Sequence, residues 1–108
     1  MTSSPARLAA AFALAGLLCA QGASASPQLS QKGGCGTCHL ADRKLVGPSY
    51  RDIAARYASR ADAIPYLAAR LRKGASGNWG TVPMAPTDVA TLDDKSLASL
   101  LGWILQTK

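Results

Sequence analysis

The chain has 108 residues, with 12 Lys and Arg against 6 acids, one His, three Cys and two Met. That length allows one domain, and so few His and acidic side chains leave most metalloenzyme and two-carboxylate hydrolase sites hard to assemble. Six aromatic residues are few for a buried core, which suggests that something other than side chains helps to fill it.

Residues 1–25 differ in composition from the rest. Arg7 precedes an apolar run at 8–20 broken only by Gly16, and small or polar residues then lead to Ala23-Ser24-Ala25. A basic start, an apolar stretch and an A-x-A site read as a secretory signal peptide. The run holds about 13 residues where a membrane span needs roughly 20, so no stable membrane insertion is expected. Bulky Leu18 before Cys19 argues against a lipoprotein signal, and Cys19 is expected to leave with the peptide. The mature chain would be residues 26–108, in the oxidising periplasm. Cys35 and Cys38 must be explained in that setting.

A short helix is expected around 28–32, before Gly33-Gly34. Ser49 can cap a second over 49–59, with Ile53, Ala54 and Tyr57 facing inward. Ile64, Leu67, Ala68 and Leu71 make an apolar stripe over 63–73, with Pro65 in the first turn, Arg70, Arg72 and Lys73 in the last, and Gly74 as its stop. Leu97, Leu100, Leu101, Ile104 and Leu105 recur at helical spacing beside Trp103. Thr91 is the expected N-cap of that last helix, with Asp93 and Asp94 in its first turn. No stretch alternates as a strand should, so the class is all-α. Two loops stand out: 45–48, Leu-Val-Gly-Pro, and 74–87, GASGNWGTVPMAPT. A stretch as long as the second without its own secondary structure is uncommon in a small domain and is usually functional.

Cys35-Gly36-Thr37-Cys38-His39 is the c-type haem attachment pattern. Each thiol can add across one vinyl group, and the two-residue spacer sets the reach between them, leaving His39 as proximal iron ligand. A thioredoxin-like motif would expect a βαβ context. A structural zinc site needs four N or S ligands, and a plain disulfide would leave His39 as coincidence. His39 is the only His, so a bis-His iron cannot form within one chain. Met1 would leave with the signal peptide, which makes Met84 the candidate sixth ligand, flanked by Pro83 and Pro86. Proline restricts φ and helps to hold a weak thioether ligand in place. A gap-filling Met is the bland alternative, and an open site or a Lys ligand are the others.

At this point the chain resembles a known family, the class I cytochromes c of bacteria in the cytochrome c-551/c-552 (c8) group. The residues that carry the resemblance run from Gly34 to His39, then 45–48, Tyr50-Arg51-Asp52-Ile53-Ala54, Ile64 to Gly74, Gly77-Asn78-Trp79-Gly80, Val82-Pro83-Met84 and Trp103-Ile104-Leu105. The resemblance implies a small cytochrome c fold, four to five short helices around one haem c bound through Cys35 and Cys38. It also implies that the Gly47-Pro48 neighbourhood accepts the second N–H of His39, and that Arg70 and Trp79 bond a haem propionate. Two departures are visible. Thr87 stands where the family pattern has Asn after Pro-Met-Pro-Pro, and the stretch from Met84 to Trp103 is a few residues longer, which is expected to lengthen a surface loop.

A His/Met iron has no open position and suits one-electron transfer, with the thioether raising the potential. The expected protein is a non-enzymatic, soluble, monomeric periplasmic shuttle between respiratory-chain donors and a terminal reductase or oxidase, with a peroxidase as a further candidate partner. Its positive charge favours partners with acidic docking faces, and Lys32, Arg43 and Lys44 are candidates for the rim of the exposed haem edge. Dispersed Lys and Arg offer no patch for nucleic acid. Tyr50 and Tyr57 are expected to pack rather than relay radicals. The rival readings are a haem sensor or enzyme subunit with a displaceable Met84, and a thiol–disulfide oxidoreductase using Cys35 and Cys38.

Overall fold

A computed structural model describes residues 25–108, so the expected signal peptide, Ala25 excepted, lies outside the described residues. Among the described residues four helices follow in order: α1 Ala25–Lys32, α2 Tyr50–Tyr57, α3 Ala63–Lys73 and α4 Asp94–Ile104, with a 3₁₀ turn at Cys35–Thr37 between the first two. Among the described residues no strand forms; there are two isolated bridges, His39 with Lys44 and Ala75 with Met84. None of the described helices is long and apolar enough to cross a membrane.

Local chemistry accounts for the helix limits. The Ser49 hydroxyl accepts the Asp52 amide at 3.0 Å, satisfying one of the orphan donors at the start of α2. Helix α3 stops at Gly74, whose φ of 82° leaves helical geometry. Helix α4 starts later than the sequence suggests. Asp93, not Thr91, is its N-cap, accepting the Ser96 amide at 2.8 Å. The physical reason lies just upstream: the Thr91 and Leu92 amides donate to the Asp88 carbonyl at 3.1 and 3.0 Å. That turn commits Thr91 and drives Leu92 inward to 1% exposure, so the stretch after Met84 contributes a core residue.

The core is built around α4. Leu97, Leu100, Leu101 and Ile104 pack with Leu92, Leu67 of α3 and Tyr50 and Tyr57 of α2, with Ile53, Ile64, Ala68, Leu71, Trp103 and Leu105 half-buried around them. Each fully buried Leu contributes roughly 1.5–3 kcal/mol over an exposed one. Helix α4 contacts the other three helices. A buried hydrogen bond of 2.7 Å between Ser30 and the Tyr50 hydroxyl ties α1 to α2. Tyr50 and Tyr57 are therefore packed side chains, as their spacing suggests.

Candidate functional site

The 3₁₀ turn organises the Cys35–His39 segment. The Cys38 and His39 amides both donate to the Cys35 carbonyl, at 3.1 and 2.9 Å, so the two thiols and the imidazole lie on one tight coil. Both thiols are free and half-buried. Burial pushes the Cys35 thiol above its ordinary pKa, against a backbone hydrogen bond that lowers it, and the neighbouring Cys38 adds to the rise.

The imidazole is fixed by the following loop. His39 Nδ1 lies 2.7 Å from the Pro48 carbonyl. A carbonyl can only accept, so Nδ1 carries the proton and Nε2 keeps its lone pair. The acceptor is thus Pro48 itself within the Gly47-Pro48 neighbourhood. Gly47 makes the approach possible, since a Cβ there would sit 2.5 Å from His39 Cε1 and 2.9 Å from Nδ1. The Gly47 amide donates to the Cys38 carbonyl at 2.8 Å, closing the loop, and the Tyr50 ring stacks on the imidazole at 5.8 Å.

The Met84 loop is tied to the end of α3. Ala75 and Met84 exchange both backbone bonds, at 3.1 and 2.7 Å, and the Thr87 amide donates to the Leu71 carbonyl at 2.7 Å. Between these ties the Gly77 amide donates to the Gly80 carbonyl at 2.9 Å, making the turn that displays Asn78 and Trp79. Two arginines hold the loop from outside. Arg56 Nη1 donates to the Asn78 carbonyl at 2.7 Å, with its guanidinium 4.5 Å from the Trp79 ring. Arg72 donates to the Thr87 carbonyl and to Asp94. Sequence reasoning assigns neither a role. For Arg72 the one signal is its place in the last turn before Gly74; for Arg56 there is none.

All seven site candidates, Cys35, Cys38, His39, Pro48, Arg70, Trp79 and Met84, line one cavity of about 700 Å³, within the usual range for ligand pockets. Leu67, Leu71, Leu100, Leu101 and Ile104 form apolar wall. Arg70 is half-buried with its guanidinium 5.7 Å from the Tyr66 ring. Trp79 is 40% exposed, edge-on to Tyr57. Of the three cations expected near the rim, Lys44 lines the cavity, whereas Lys32 and Arg43 are exposed outside its lining. The donor set fits haem: two unpaired thiols at fixed spacing, an imidazole, a thioether, and a guanidinium and an indole N–H all line the cavity.

The cytochrome c family model matches residues 23–108. Cytochrome c-552 of Hydrogenobacter thermophilus is 48% identical over 84 residues, covering 78% of this chain and 83% of its own. Cytochrome c-551 of Pseudomonas aeruginosa is 43% identical over 95 residues, 86% of this chain and 88% of its own. The crystal structure of wild-type Nitrosomonas europaea cytochrome c552 superposes with a TM-score of 0.69 at 43% identity, covering 76% of this chain and 99% of that one. With such matches, an all-α fold and the Cys-x-x-Cys-His coil facing the cavity, the chain belongs to the cytochrome c family, as a monohaem class I electron carrier with covalently attached haem c.

Proposed function

We propose that this cytochrome shuttles single electrons in the periplasm with its iron held between His39 and Met84. The observation that carries the reading is the convergence of Cys35, Cys38, His39 and Met84 on one cavity, with His39 Nδ1 already committed to the Pro48 carbonyl. When bound, haem supplies reversible one-electron exchange at its iron. The chain's own residues do the rest. Cys35 and Cys38 anchor the ring as thioethers. The Pro48 carbonyl orients His39 and raises its basicity, as acceptors behind metal-bound imidazoles do. Met84 would supply the second protein ligand and raise the potential, while Leu100, Leu101 and Ile104, part of the apolar wall, keep water from the cavity. Arg70 and Trp79 bond the propionates, whose charge needs a cation or donor when withdrawn from water.

The docking edge is the stretch of the cavity rim formed by exposed Lys44 and its near neighbour in sequence, apolar Val46. An apolar contact with a basic neighbour suits an acidic partner face, with salt-sensitive association rates. The test is a visible spectrum of the full chain exported to the periplasm, oxidised and reduced, with acid–acetone extraction. Haem that resists extraction, a weak far-red thioether–Fe(III) band and no shift with carbon monoxide are expected. A carbon monoxide shift would favour the ligand-binding alternative with a displaceable Met84, and colourless protein would sink the reading.

A further inference from the structure

The Met84 segment has no helix or strand of its own, and Pro83, Met84, Ala85 and Pro86 all border the cavity. Its place is therefore set by the backbone bonds at its two ends. Its upstream end is held by the exchange of bonds with Ala75. At its downstream end Arg72 makes two contacts, Nη1 donating to the Thr87 carbonyl at 3.0 Å and Nη2 to Asp94 Oδ1 at 2.9 Å. The acceptors belong to the Met84 loop and to the first turn of α4, so one planar fork joins three parts of the chain. The Arg72 side chain is 20% exposed against 91% for Asp94, and an exposed ion pair contributes little. The shielded bond to Thr87 is then the stronger of the two. Arg72 Nε is buried without a partner, an unfavourable state for an N–H. Its two Nη contacts, not a full set of hydrogen bonds, fix where the guanidinium sits.

We propose that Arg72 is a positioning residue for the Met84 ligand. By gripping Thr87, three residues downstream of Met84, it limits how far the loop lifts and so sets how often the thioether leaves the iron; Asp94 orients the fork. This rests on the proposed Met84 ligation. Lysine at this position keeps the charge but is a point donor without the fork, unable to reproduce both contacts in one geometry.

The test uses the full exported chain loaded with haem. Imidazole is titrated against the oxidised protein, and its apparent dissociation constant is read from loss of the far-red thioether band. Because imidazole binds only where Met84 has left, that constant falls in proportion as the open fraction rises. Arg72→Met is expected to tighten imidazole roughly tenfold, the scale of one hydrogen bond to a charged group, and to lower the reduction potential. Arg72→Lys falls between it and the wild type, and Asp94→Asn gives about a two- to threefold effect, the scale of an exposed ion pair. Arg51→Met is the control: Arg51 Nε donates to the Lys108 backbone oxygen at 2.9 Å in an exposed contact outside the Met84 loop, so its loss leaves the imidazole constant unmoved. Unchanged imidazole constants and potentials in Arg72→Met and Arg72→Lys overturn the proposal, whatever their melting temperatures. If Arg72→Met yields no holoprotein, unchanged constants in Arg72→Lys and Asp94→Asn overturn it instead. A wild type lacking the far-red band refutes Met84 ligation itself, a failure seen before any variant is made.

Discussion

Gly74→Ala tests how the Met84 loop is attached. Gly74 sits at φ 82° and ψ 162°, a region almost reserved for glycine that costs other residues about 1–3 kcal/mol. Space is also short, since a Cβ at Gly74 would meet the Met84 carbonyl oxygen at 2.9 Å and Pro86 ring carbons at 3.3 Å. The new methyl group must therefore either twist the backbone at the end of α3 or push the Met84 carbonyl away. The second response breaks the bonds to Ala75, now 3.1 and 2.7 Å long. In a domain of this size each kcal/mol shifts Tm by roughly 4–8 °C, so a loss on the order of 10 °C is expected, together with a weakened far-red band. Gly34→Ala is the matched control. Gly34 also has positive φ, at 71°, but a Cβ there would meet nothing within 4 Å. That variant bears a left-handed backbone cost of about 1–2 kcal/mol and leaves Met84 undisturbed. Thermal melts and oxidised spectra of both holoproteins decide the matter. If Gly74→Ala loses no more stability than Gly34→Ala and keeps its full band, the loop is not hung on Gly74 and the reasoning fails.

Three further outcomes follow from single contacts. Gly47→Ala drives a methyl group into the imidazole of His39 and is expected to break the bond to Pro48, seen as a lower reduction potential or a loss of haem-loaded protein; an unchanged potential at normal yield would count against the Pro48 anchor. Ser49→Ala leaves the Asp52 amide without its acceptor and should cost about 1 kcal/mol, measured by denaturant melts with the far-red band intact. Asp93 has its carboxyl held below the ordinary value of 3.8, chiefly by the Ser96 backbone amide it accepts. Its folded form favours ionisation, so its contribution is present above the ordinary aspartate range and is lost as pH falls through the lowered value. Asp93→Asn keeps a capping side chain and should flatten that acid limb; melts of both proteins below about pH 4 that fall in parallel would contradict the assignment.

How far the sequence reaches depends on the range of the chemistry. Helix α2 can be read from Ser49, Ile53, Ala54 and Tyr57 because a cap and an apolar face are local, and α3 ends at Gly74 for the same reason. Thr91 resembles a cap because Asp93 and Asp94 fit a first turn equally well as the residues that open it. What decides between them is the turn on the Asp88 carbonyl, a competing use of the Thr91 and Leu92 amides that leaves no periodic trace. The Cys-x-x-Cys-His spacing announces its own chemistry, and counting singles out His39 and Met84. Arg56 and Arg72 could not be found that way. Each donates to a backbone carbonyl, of Asn78 and Thr87, and a carbonyl has no residue type, so no pairing of side chains betrays the contact.

That dependence on backbone acceptors bears on Thr87, where the family pattern has Asn. In this chain the position acts through its main chain: its amide meets Leu71 at 2.7 Å and its carbonyl meets Arg72 at 3.0 Å. Both partners lie in the last turn of α3, as do the residues leading into Gly74 and Ala75 on the upstream side. Helix α3 is in turn seated by Leu67 against Leu100, Leu101 and Ile104 of α4. The prolines around Met84 narrow the loop's own choices, but the backbone of the loop hangs from the end of α3. A substitution of the Thr87 side chain should accordingly matter less than a change at Gly74 or Arg72, because only the latter two move the acceptors and donors that hold the loop.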